Sequence, residues 1–130
     1  MAEFDPRSHR LAEPRWFDDF RVGEVFRLPS RTMTDAHFLA FQAAIQTVAG
    51  AGLFPHQVED SLLGFIEQSS RFLKGVYAGD TLYSALEITE LQPQRTTGVI
   101  VMRATVHNQR GELVLDGMHK YLIRKRLNKE

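Results

Sequence analysis

The stretch 32–57, TMTDAHFLAFQAAIQTVAGAGLFPHQ, constrains the fold most, because it has helical periodicity and almost no polar side. Phe38, Phe41, Ile45 and Val48 recur at spacings of three, four and three, the repeat of one helix face. Leu39, Ala40, Ala43 and Ala44 fall on the opposite side, and only His37, Gln42, Gln46 and Thr47 interrupt the apolar surface. Thr34 is placed to cap the helix, Asp35 suits the positive end of its dipole, and Gly50 and Gly52 end it. A helix from about Asp35 to Ala49 is expected, with Phe41 to Val48 unbroken. A helix apolar nearly all round must be buried nearly all round, so the rest of the chain has to wrap it.

From Ser61 onward the chain alternates like strands. SLLGFIEQSSRFLKG reads as a long strand bent at Gly64; TLYSALEITEL, TGVIVMRATVH and ELVLDGMHKYLIRKR read as three more. NQRG at 108–111 is a hairpin signal, and AGD at 78–80 and QPQRT at 92–96 serve as turns. Joined this way, the four strands are expected to form an antiparallel meander. A short strand around Glu24 to Leu28 precedes the helix. The predicted architecture is α+β: a curved antiparallel sheet of about five strands wrapped around one central helix, the hot-dog arrangement. A single sheet leaves its edges open, which suggests a homodimer joined through sheet edges.

The chain has 130 residues, enough for one domain with a real core. Residues 1–15 mix Pro, charge and Ala without a period and read as an N-terminal arm; 16–130 read as the single domain, with Trp16, Phe17 and Phe20 pinning the arm by packing. Sixteen Lys and Arg balance sixteen Asp and Glu, so the basic excess of a nucleic-acid binder is absent. The basic end, RKRLNKE, reads as a solvated strand end or tail. No apolar run approaches the ~20 residues of a membrane span, and the first residues carry no apolar core like that of a signal peptide. With no cysteine, thiolate chemistry and cysteine metal sites are excluded, and a cytoplasmic location is expected.

The segment RFLKGVYAGDTLYSALEITEL resembles the MaoC-like dehydratases, the (R)-specific enoyl-CoA hydratase family. The matches are Arg71, Phe72, Val76, Gly79, Asp80, Thr81 and Leu82, with Gly75 where the family often has Pro. WFDDFRVGEVF resembles the family's opening, TMTDAHFLAF the start of its first helical segment, and ATVHNQRGELVLDGMHKYLIRK its closing hairpin. The resemblance implies an acyl-CoA thioester ligand and 2-enoyl-CoA hydration or 3-hydroxyacyl-CoA dehydration. No cofactor is expected, and no metal, because no His and carboxylate pair has metal-ligand spacing. The resemblance also implies a tunnel at a dimer interface near Phe72 and Val76, with Arg71 or Lys74 placed for CoA phosphates.

The family's catalytic motif, Gly-Asp-x-Asn-Pro-x-His, is not in this sequence. TDAHFLAFQAA runs directly into IQTVAGAGLFPH, which resembles the later part of the family's central helix. The acid and base that would hold a water for addition to the enoyl bond are therefore missing. Two substitutes are weak candidates. His56 has Glu59 and Asp60 close behind, as a poised base would, but reads first as a surface loop residue after the helix. Glu67 sits among apolar strand residues and could serve if buried, or simply point outward. His107 and His119 face across the final hairpin by rough register and read as half-exposed sheet residues. Asp80 reads as a turn residue bonding backbone N–H groups. The chain is thus expected to be a family member that lacks its acid and base, a non-catalytic acyl-CoA-binding or dimerisation module, or an acyl-CoA thioesterase.

Overall fold

The computed structural model describes residues 5–8, 12–32 and 54–126. The expected helix Asp35–Ala49, its unbroken segment Phe41–Val48 and His37 lie outside the described residues.

The described strands form one antiparallel sheet. β1 (Val25–Arg27), β2 (Arg31–Thr32), β3 (Leu62–Phe72), β4 (Thr81–Pro93), β5 (Thr97–His107) and β6 (Leu113–Arg124) are arranged in the order β1-β4-β5-β6-β3, with β2 also on β4. β1 pairs with Ala85 to Glu87 and β2 with Thr81 and Leu82, so the two lie end to end along one edge of β4. Pro29 stands at the break between them; it has no N–H to give a ladder.

The meander holds only for β4, β5 and β6. β3 pairs with β6 rather than with β4, so two strands separate β3 from the next strand in sequence. The segment 73–80 makes this crossing. Three strand spacings need roughly 14 Å, well within the reach of that segment at ~3.3 Å per residue. Its first residue donates from its backbone N–H to the Val114 carbonyl (2.9 Å), so the connection leaves along the start of β6.

β5 is central, and its β-branched run Val99, Ile100, Val101 is buried on both faces. The expected bend at Gly64 is a register shift between Leu62 and Gly64, and a second shift lies between Phe65 and Glu67. Such bulges add twist and curl the sheet. At the 108–111 hairpin, Asn108 Oδ1 accepts from the N–H groups of Arg110 and Glu112 (both 3.0 Å), and Gly111 takes φ 76; a side chain there would be strained.

One face of the sheet carries the core. Phe20, Phe26, Phe54 and Tyr121 pack in a tilted aromatic cluster, with Phe54 5.6 Å from Phe20, 5.4 Å from Phe26 and 4.9 Å from Tyr121. Phe54 belongs to α1 (Phe54–Gln57), a single helical turn leading into β3. The N-terminal segment closes this end. Arg15 lies 4.1 Å over the Phe20 ring and pairs with Glu24 at 2.8 Å, and its carbonyl accepts from Ser61 Oγ at 2.7 Å. Asp18 accepts the Arg126 N–H at 2.8 Å, which ties the end of β6 to the same place. Among the described residues no helix is long and apolar enough to cross a membrane.

Candidate functional site

Directly paired residues of neighbouring strands point to the same side of the sheet. Three rows therefore run across the core face: Ile88–Met102–His119–Gln68, Leu86–Ala104–Gly117–Ser70 and Ser84–Val106–Leu115–Phe72. These rows are mostly apolar. His119 is the one ionisable side chain in them, and it is fully buried.

The expectation of a half-exposed His119 opposite His107 is corrected. His119 pairs with Met102 and Gln68, whereas His107 pairs with Leu113 and faces the outer side. The physical reason is strand alternation: Leu115, Gly117, His119, Tyr121 and Ile123 all point inward, so His119 shares the core face with Leu115 and Ile123.

His119 Nδ1 lies 2.9 Å from the Tyr121 hydroxyl. Its other nitrogen, Nε2, is buried with no partner among the described residues, as is Ser84 Oγ. Burial pushes the His119 pKa down to about 4 and the Tyr121 pKa up to about 12. At neutral pH the pair is thus an uncharged imidazole and an uncharged phenol. The Phe65 ring covers both, its centroid 5.3 Å from His119 and 4.8 Å from Tyr121. Phe65 is half-exposed on β3, and with Ile66, Glu67 and Gln68 it lines a shallow pocket of about 150 Å³. Beside that pocket the Gln68 side-chain amide donates to Ser70 Oγ at 2.5 Å.

The residues singled out in the sequence do not converge on one point. Phe72 is on the core face and exposed, while Arg71 is on the outer face opposite Asp116. Lys74 Nζ is 3.1 Å from Glu112, and Val76 packs against Leu82, Val106, Val114 and Leu115. Glu67 points outward, half-exposed, 3.4 Å from Lys120 Nζ, so it is not the buried carboxyl that a substitute base would require. His56 sits in α1, part-exposed, its Nδ1 3.9 Å from Glu59.

Asp80 is buried in its turn. It accepts from the Tyr77 N–H (3.0 Å) and from Gln109 Nε2 (2.9 Å), and these bonds hold its carboxyl below the usual range. It clasps the 73–80 connection to the β5–β6 hairpin. A larger cavity, about 410 Å³, lies on the outer face between Arg27, Tyr83, Glu87 and His107, so the sheet separates it from His119. Among the described residues no three His, Asp or Glu side chains are grouped to hold a metal ion.

Sequence comparison finds no matching family model and no matching curated protein. Solved structures do match. One is a monoamine oxidase regulatory protein from Archaeoglobus fulgius, 24% identical, TM-score 0.69, covering 92% of this chain and 100% of its own. A MaoC-like dehydratase from Rhodospirillum rubrum is 18% identical, TM-score 0.61, covering 88% and 99%. An (R)-hydratase from A. caviae is 18% identical, TM-score 0.55, covering 83% and 98%. Likeness at these identities establishes the fold: the chain has the hot-dog architecture that the MaoC-like dehydratases and (R)-hydratases share.

Proposed function

We propose that this chain is a cytoplasmic member of the MaoC-like lineage that binds acyl-CoA thioesters as a homodimer without hydrating them. The observation that carries the reading is the shared fold, which spans nearly the full length of a MaoC-like dehydratase structure and an (R)-hydratase structure. The absence of a Gly-Asp-x-Asn-Pro-x-His motif from the sequence supports the non-catalytic part. Hydration needs an acid and a base on one water, and neither His56 nor Glu67 has the burial or the partner for that role. The thioesterase alternative, which would use the same two residues, has less support for the same reason.

The dimer reading rests on β3. It is the last strand of the described sheet, one of its edges has no strand partner among the described residues, and it exposes Leu62, Leu63, Phe65, Ile66 and Phe72. A long apolar edge of this kind is a liability unless covered, and a second copy of β3 covers it with matching chemistry. In that arrangement Phe72 and Val76 line the acyl site, and Arg71 and Lys74 reach the CoA phosphates.

Incubation with crotonyl-CoA, monitored by enoyl absorbance and free thiol, tests the catalytic part. No loss of absorbance and no thiol release are expected. Hydration above background would overturn the non-catalytic reading, and release of CoA would select the thioesterase.

A further inference from the structure

The buried pair on the core face has a determinate proton arrangement. The Tyr121 hydroxyl carries one proton, and its partner among the described residues is His119 Nδ1. A buried phenol O–H that donates to nothing is costly, so Tyr121 donates and Nδ1 accepts. The single ring proton of the neutral imidazole then sits on Nε2. That N–H is an oriented donor, fully buried and unpartnered among the described residues. Orphaned buried donors are rare, and an acceptor brought by a ligand would satisfy this one.

The position suits such an acceptor. Two of the residues that line the 150 Å³ pocket on β3 adjoin the pair: Phe65, whose ring packs on both His119 and Tyr121, and Gln68, the register partner of His119. Of the core-face neighbours in register, Met102, Ala104 and Ile100 are apolar, and the polar Gln68 and Ser70 bond each other, so a ligand that presents an alkyl chain with a neutral acceptor fits the site. We propose that His119 Nε2–H donates a hydrogen bond to the acyl carbonyl of a bound thioester, with Tyr121 as the positioning residue that fixes the tautomer and Phe65 as the ring that covers both. This rests on the acyl-CoA reading and assigns that ligand's carbonyl contact. A donor without a neighbouring acid–base pair polarises and holds the carbonyl but does not add water to the chain.

Difference infrared spectroscopy with crotonyl-CoA carrying a ¹³C thioester carbonyl reads this contact directly. On binding to the wild-type protein, the carbonyl band is expected to move to lower frequency. The His119→Leu variant should lose that shift and bind about tenfold more weakly, and Tyr121→Phe should reduce both effects. A wild-type complex whose carbonyl band does not move would overturn the inference, and this needs no variant to fold. Equal affinity and an equal shift in His119→Leu would overturn it too. If the wild-type protein binds no crotonyl-CoA, the functional reading itself fails; binding with an unshifted carbonyl fails this inference alone.

Discussion

Phe65 and Tyr121 stack across the β3–β6 pair, ring centroids 4.8 Å apart and planes 16° from parallel. The stack joins an exposed edge strand to the aromatic core, since Tyr121 also lies 4.9 Å from Phe54. Phe65→Ala should therefore cost about 1–2 kcal/mol, less than a fully buried Phe. It should also let water reach His119 and raise that residue's pKa from about 4 toward 6.5. Urea unfolding and an NMR titration of the His119 ring check the two effects. An unchanged His119 titration would mean that Phe65 does not shield it.

His119 makes stability depend on pH in a defined window. Its pKa is about 4 folded against 6.5 for the ordinary group, so the unfolded chain binds the proton more readily between those values. The contribution is complete above about pH 6.5 and is lost as pH falls toward 4. The neighbours in register, Met102 and Gln68, and the packed Phe65 and Tyr121 rings bring no charge that would offset protonation. Urea midpoints should fall from pH 6.5 to 4.5 in the wild-type protein and stay nearly level in His119→Leu. Equal slopes would contradict the burial of His119 as a neutral group.

Gly117 lies where β6 meets β3, and a Cβ there would stand 2.2 Å from the Ser69 carbonyl oxygen. The obstacle is backbone, so β3 has to part from β6. Gly117→Ala should lower stability by about 1–3 kcal/mol and weaken dimerisation with it, because β3 carries the proposed interface. Denaturation and sedimentation of the same variant test both. A destabilised variant that dimerises with wild-type strength would place the interface elsewhere.

Asp80 joins two turns through Tyr77 and Gln109. Asp80→Ala leaves both donors unsatisfied and should lower stability by about 1–3 kcal/mol, read as a lower urea midpoint with an unchanged slope. No change in the midpoint would show that the clasp is dispensable.

This turn is legible in the sequence, because a Gly-Asp pair bonding its own backbone is a local device. The 108–111 hairpin and the β-branched run of β5 are legible for the same reason. The partner of β3 is not: a strand's periodicity records which faces it buries, not which strand lies beside it, and the 73–80 segment is long enough for either route. For His119 the residue type alone suggests a half-exposed position, and its place in the alternation Leu115, Gly117, His119, Tyr121, Ile123 overrides it. Read as a period of two, that run puts the imidazole among core residues. Arg71 and Phe72 belong together only as neighbours in a motif; adjacent residues of a strand face opposite sides, as these two do.

The most direct test of the account is a calorimetric titration of the wild-type protein with butyryl-CoA and, separately, with free CoA. Saturable binding of butyryl-CoA at one site per protomer, clearly tighter than that of free CoA, is the expected result. No binding of butyryl-CoA, or equal binding of both, would contradict an acyl-thioester site in this fold.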